Sequence, residues 1–198
     1  MATDTLAGMA NYETRRFTRL EYEKLIDLGI FQPGEAIELV GGQLVVAEPQ
    51  GARHYTAIVK TARALQAAFG AAAYVRIQGP IGLDDESEPE PDIAVVPGSI
   101  DDYGQEHPVR AVLVVEVAES SLAFDREYKG SLYARGGVPD YWVLNLVDCV
   151  LEVYREPRAD AATPFGWRYA HREVLELGAS VAPVAVPTAR VVVSHLFP

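Results

Sequence analysis

The stretch Ala111-Val112-Leu113-Val114-Val115-Glu116-Val117-Ala118 is the most apolar in the chain, and a single carboxylate interrupts it. Rich in β-branched residues, it reads as a central strand covered on both faces. Burying a lone carboxylate in such a strand costs on the order of several kcal/mol even after relaxation. A basic partner, a proton, a set of hydrogen-bond donors or a metal ion must offset that cost. Taken alone, Glu116 fits an ion pair with a neighbouring Arg or Lys as well as it fits a metal.

Working upstream, Glu90-Pro91-Asp92-Ile93-Ala94-Val95-Val96 shifts the balance. Pro91 stiffens the approach, and Asp92 opens a strand that Pro97 and Gly98 end. Asp92 alone also suits a turn or cap at a strand start. If strands 92–96 and 111–118 pair, Asp92 and Glu116 converge at one end of the sheet. Two carboxylates held close repel unless a cation lies between them. Oxygen ligands that leave room for water suit Mg²⁺ or Mn²⁺.

Downstream, residues 125–135 read as a helix stopped by Gly136-Gly137. Asp125, Lys129 and Tyr133 fall at i, i+4 and i+8 and share a stripe. A lysine near an activated water could orient it or offset charge on a phosphate. The spacing by itself favours a surface Asp125–Lys129 pair worth only about 0.3–0.5 kcal/mol.

The remaining elements follow from periodicity and punctuation. Thr18 and Glu21 form a capping box that opens a helix over 18–28, closed by Gly29. Residues 36–40 and 43–46 flank Gly41-Gly42 as a β-hairpin with a primed turn. Ile58, Ala62, Leu65 and Phe69 line one face of a helix over 52–69. Strands are predicted over 73–78, 167–174 and 190–193, with a second hairpin from 141–146 and 149–154 turning near Val147-Asp148. The order β-β-α-β-β-β-α-β-β predicts an α/β fold, a mixed sheet flanked by helices. A loose arm over 1–16 and a single domain over 17–198 are expected.

Composition bounds the function. The 198 residues are 49% apolar, ample for a core, and no apolar run approaches a membrane span. The N-terminus lacks a signal-peptide pattern, and Cys149 is the only cysteine, so a cytoplasmic protein without disulfides is expected. With 17 Lys+Arg against 28 Asp+Glu the net charge is −11, which is unusual for a protein that grips nucleic acid by charge. The acidic run from Asp84 to Glu90 supplies much of the excess and reads as a solvated loop. His54, His107, His171 and His195 have no zinc spacing, the glycines form no phosphate fingerprint, and Ser120 and Ser121 lack a partner spacing for nucleophilic chemistry. Alternation with Ile37 and Leu39 turns Glu38 toward solvent or toward the site, with solvent favoured. His54 near a helix start reads as a cap or surface residue, or as a contact to phosphate or a metal-bound water.

The Pro-Asp pair followed by an acid in an apolar strand resembles the PD-(D/E)xK nuclease superfamily. Its usual Glu-x-Lys here reads Glu116-Val117-Ala118, without the lysine. A closer resemblance, over about residues 17–154, is to the bacterial Uma-type family assigned as endonucleases. It rests on the Glu38–Leu44 hairpin, His54, Gln78, the Glu90–Val96 and Leu113–Ser121 strands, and Lys129–Leu144, taken together and in order. The resemblance implies a restriction-endonuclease-like fold with added hairpins and Mg²⁺ as cofactor. It also implies that Lys129 supplies the missing ammonium from the helix, and it raises Glu38, His54 and Gln78 as secondary site residues.

The leading expectation is a metal-dependent endonuclease acting on DNA, with Asp92 and Glu116 holding the metal and Lys129 at the reacting phosphate. Arg53, Lys60 and Arg63 are candidates for meeting the backbone, and a homodimer is compatible with cutting two strands. The alternatives are a catalytically inactive binding or assembly module and an enzyme on a small phosphorylated substrate. A basic groove beside Asp92 would favour the nuclease, and an acidic surface the module.

Overall fold

Glu21 N donates to the Thr18 hydroxyl, and the Glu21 carboxylate accepts from Thr18 N at 3.0 Å, which closes the predicted capping box and opens α1 (Arg19–Asp27). The computed structural model describes residues 14–32, 34–47 and 50–198, so the arm expected over 1–16 lies mostly outside the described residues. The first hairpin pairs β1 (Ile37–Val40) with β2 (Gln43–Val46). Gly41 and Gly42 turn it with φ of 56° and 77°, the two positive values a primed turn demands. A Cβ on Gly41 would also collide with the ring of Phe165.

The helix α2 (Ala52–Phe69) has the predicted bounds, and its predicted apolar face is buried. The main sheet is built from β3 (Ala73–Ile77), β4 (Ile93–Pro97), β5 (Leu113–Ala118), β6 (Asp140–Asn145), β7 (Val150–Ala159) and β8 (Trp167–Leu175), adjacent in that order. Only β5 and β6 run parallel; the other neighbours are antiparallel. Parallel neighbours need a crossover, and the helical segment over 122–135 provides it. That segment is less regular than predicted. It begins three residues earlier as α3 (Leu122–Phe124), widens into a π-turn (Asp125–Lys129), and continues as α4 (Gly130–Arg135). A small separate pair, β9 (Ser180–Val181) and β10 (Val191–Val192), takes up the last predicted strand.

The sheet divides two cores. Leu113, Val115 and Val117 of β5 pack with α2, Trp142 and the C-terminal Leu196 and Phe197. Val114 and Ala118 face the other core, with Tyr133, Tyr141 and Tyr154. Glu116 shares the parity of Val114 and Ala118 and so points to that second side. Among the described residues no helix is long and apolar enough to cross a membrane.

The acidic run is only in part the solvated loop its composition suggests, with Asp85 exposed and Asp84, Glu86 and Glu90 partly so. Ser87 and Glu88 are buried, and the run docks along the β1–β2 hairpin through Glu88 N to Leu39 O at 2.8 Å and Gly42 N to Glu86 O at 2.6 Å. The hairpin edge needs backbone partners, and this run supplies them.

Glu152 of β7 is fully buried, with its carboxylate accepting from Arg126, Arg172, Tyr154 and Asn145. Burial would raise its pKa, but the hydrogen bonds from Arg126, Tyr154, Asn145 and Arg172 outweigh that and bring it down to about 2. A depressed carboxylate stabilises the fold above its unfolded pKa, near 4.5, and loses that contribution as pH falls toward 2. At most about 3 kcal/mol should disappear over this window. Urea titrations across pH 2–5 should show a shallower acid loss for Glu152→Gln than for the wild type; parallel curves would refute the assignment.

Candidate active site

Asp92 and Glu116 meet because of register. Ile93 pairs with Val115, which sets Asp92 opposite Glu116 one step further along. The two are interlocked: Asp92 N donates to Glu116 Oε2 at 3.3 Å, and Val117 N donates to Asp92 Oδ2 at 2.8 Å. Both residues are buried, at 8% and 3% exposure.

Lys129 joins them from the end of the π-turn. It is buried, with Nζ 3.0 Å from Glu116 Oε1 and 3.0 Å from Glu38 Oε1. The surface pair with Asp125 that the spacing favours is therefore not where this ammonium goes. The predicted stripe is real, but it faces inward. Tyr133 donates to Glu116 Oε1 at 2.7 Å, and Asp125 is buried with Ser121 Oγ donating to its Oδ2 at 2.6 Å.

Glu38 also departs from its favoured reading. It is buried at 5% exposure, and its Oε2 accepts from Glu90 N at 2.9 Å. Alternation put it on one of two faces, and the contacts with Lys129 and Glu90 N place it on the one that lines the cleft. His54, in the first turn of α2, is neither a cap nor a surface residue. Its Nε2 lies 2.6 Å from Val117 O and 3.3 Å from Asp92 Oδ2. Both neighbours accept, so the proton belongs on Nε2, and Nδ1 is buried without a partner. Gln78 sits at the end of β3 with φ 49°, its N–H donating to Asp92 O at 3.1 Å, and lines the cleft.

Electrostatics follow from crowding. Burial lifts the Glu116 carboxyl, Lys129 pulls it back, and Asp125, Asp92 and Glu38 lift it again, to about 8. Asp125 rises to about 6, chiefly through burial. Burial opposes the Lys129 charge, but Glu116, Glu38 and Asp125 outweigh it and hold the amine protonated. Burial would lower the His54 pKa, but the contact with Asp92 outweighs it and raises it.

The cleft above these groups has a volume of about 350 Å³. Its lining carries Glu38, Glu90, Asp92, Glu116, Glu119 and Asp125, six carboxylates against Lys129 and His54. Among the described residues lining the cleft, Lys129 and His54 are the basic ones. Arg53 pairs with Glu119 at 3.3 Å, Lys60 donates to the carbonyl of Phe197, and Arg63 is exposed on α2. Among the described residues no group of three or more His, Cys, Asp and Glu forms a metal cage. The donors that fit a hard divalent cation are the Asp92 and Glu116 carboxylates. The surplus of buried negative charge and the raised Glu116 pKa are what such a cation would relieve.

Asp125, Tyr133 and Glu90 belong to the site without having been assigned a role from sequence. The i, i+4, i+8 stripe was the available signal for the first two.

A crystal structure described as a "putative nuclease belonging to DUF820", from Anabaena variabilis ATCC 29413, has a similar fold. Its TM-score is 0.64 at 17% sequence identity, covering 86% of this chain and 94% of that one. No curated protein matches the chain. The model of the Uma2 family, described as "Putative restriction endonuclease", matches residues 19–190, and the chain belongs to that family.

Proposed function

We propose that the chain hydrolyses phosphodiester bonds in nucleic acid, DNA in the first instance, with Mg²⁺ or Mn²⁺ held by Asp92 and Glu116. One observation carries the reading: Lys129 Nζ stands 3.0 Å from Glu116 Oε1, an ammonium at the carboxylate pair although the strand itself has none. When bound, the cation would supply Lewis acidity to the phosphate and to the attacking water. The protein's own residues do the rest. Tyr133 and Lys129 fix the Glu116 carboxylate, while His54 and Val117 N fix Asp92. The Lys129 charge, pinned between Glu38 and Glu116, offsets negative charge developing on a phosphate in the cleft.

The acidic lining favours a second reading, a binding or assembly module on the same fold, because polyanions need a local excess of positive charge and here six carboxylates stand against Lys129 and His54. Calorimetry with Mn²⁺, followed by incubation with single-stranded DNA, double-stranded DNA and RNA, separates the two. The nuclease reading expects Mn²⁺ binding that Asp92→Ala removes, and metal-dependent cleavage of at least one polymer. Absence of Mn²⁺ binding, with or without nucleic acid, would leave the module as the better account.

A further inference from the structure

We propose that the buried carboxylate of Glu152 is a positioning residue for Lys129, acting through Arg126 and the π-turn that Arg126 and Lys129 share. Glu152 lies two strands away from Glu116 on the same row of the sheet: Glu116 pairs with Val143, and Val143 pairs with Glu152. The π-turn crosses above this row. Asp125 and Lys129, its first and last residues, line the cleft, while Arg126 lies outside that lining and contacts Glu152. The Arg126 guanidinium grips Glu152 with both Nε and Nη2, with Nε 3.0 Å from Oε2 and 3.2 Å from Oε1. Such a fork fixes orientation as well as distance.

The turn has reason to need an anchor. A π-turn is a helix with one residue inserted, and such turns are rare. Relaxation to α geometry would rotate the residues downstream of the turn by roughly 100° relative to those upstream of it. That rotation would carry Lys129 away from Glu38 and Glu116. Besides the ion pairs of Lys129 itself and the Ser121–Asp125 bond, two contacts oppose it: Tyr141 donates to Asp125 O at 2.9 Å, and Arg126 holds Glu152. Glu152 is itself held immobile by Arg172 at 3.0 Å, Tyr154 at 2.6 Å and Asn145 at 3.1 Å.

The consequence for catalysis rests on the nuclease reading, whereas the effect on Lys129 does not. Arg126→Met and Arg172→Met form the test. Each removes one guanidinium from Glu152 and leaves the other, with Tyr154 and Asn145, so the carboxylate stays paired and the fold is retained. A purely structural role predicts that the two variants behave alike. The positioning role predicts that only Arg126→Met disturbs Lys129. The readout is the ¹H–¹⁵N resonance of the Lys129 ammonium, identified by its loss in Lys129→Met. It should persist in the wild type and in Arg172→Met, and shift or vanish in Arg126→Met. With DNA and Mn²⁺, Arg126→Met should lower kcat about 10–100-fold with KM retained. Equal behaviour of the two variants, or an unchanged resonance in Arg126→Met, overturns the proposal. If the resonance responds as stated but the wild type cleaves nothing, the nuclease reading fails and the positioning role stands.

Discussion

Lys129→Met should lower the proposed metal-dependent cleavage about 10²–10³-fold and should cost about 3–5 kcal/mol of stability. Both effects have one origin. The Lys129 ammonium lies 3.0 Å from a carboxylate oxygen of each of Glu38 and Glu116, all three side chains being buried. Removing it leaves two buried carboxyl groups facing each other without the counter-ion they share. Methionine fills the space of the stem but offers no charge. The folded protein must then bind protons or open locally, so urea midpoints should fall most at alkaline pH. Single-turnover cleavage by the same variant reads the catalytic part. A variant that cleaves like the wild type would show that this ammonium is only an internal counter-ion.

Glu116→Gln should remove Mn²⁺ binding and cleavage while making the metal-free protein more stable at neutral and alkaline pH. The folded-state pKa of Glu116 is raised to about 8, against about 4.5 for an unperturbed glutamate. Between those values the folded state holds a proton that the unfolded state has released. Stability of the metal-free wild type therefore falls as pH rises through that window. Glutamine keeps the shape and carries no charge, so the slope should flatten. Thermal melts from pH 5 to 9, with and without Mn²⁺, test both halves. A variant less stable than the wild type at every pH would mean that Lys129 needs the Glu116 charge more than the site needs to lose it.

The elements were legible because their signals are local. The Thr18/Glu21 box, the Gly41-Gly42 turn and the apolar period of α2 each depend on residues within a few positions of one another. The apolar run around Glu116 marked a covered strand, and Asp92 at the head of the next strand marked a partner. What periodicity could not supply was the direction of ambiguous polar groups. Glu38 alternates with apolar neighbours, which allows two faces, and only its tertiary contacts with Lys129 and Glu90 N decide between them. Lys129 at i+4 from Asp125 matches a surface pair as well as an inward stripe. The π-turn, which has no sequence signature here, helps to set its direction.

The sequence by itself marked Glu116 as the expensive carboxylate, because an acid among Val114, Val115 and Val117 sits in a strand apolar enough to be covered on both faces. It also determined the order of strands and helices, since caps, turns and periods act over a few residues. The tertiary structure alone decided what offsets that expense. It set Asp92 against Glu116 by strand register, brought Glu38 and His54 from separate elements, and turned Lys129 inward on a π-turn anchored to Glu152. Electrostatic compensation acts through space over a few ångströms, and the groups that meet here lie up to 91 positions apart in the chain, from Glu38 to Lys129. Spacing along the sequence carries no record of such distances.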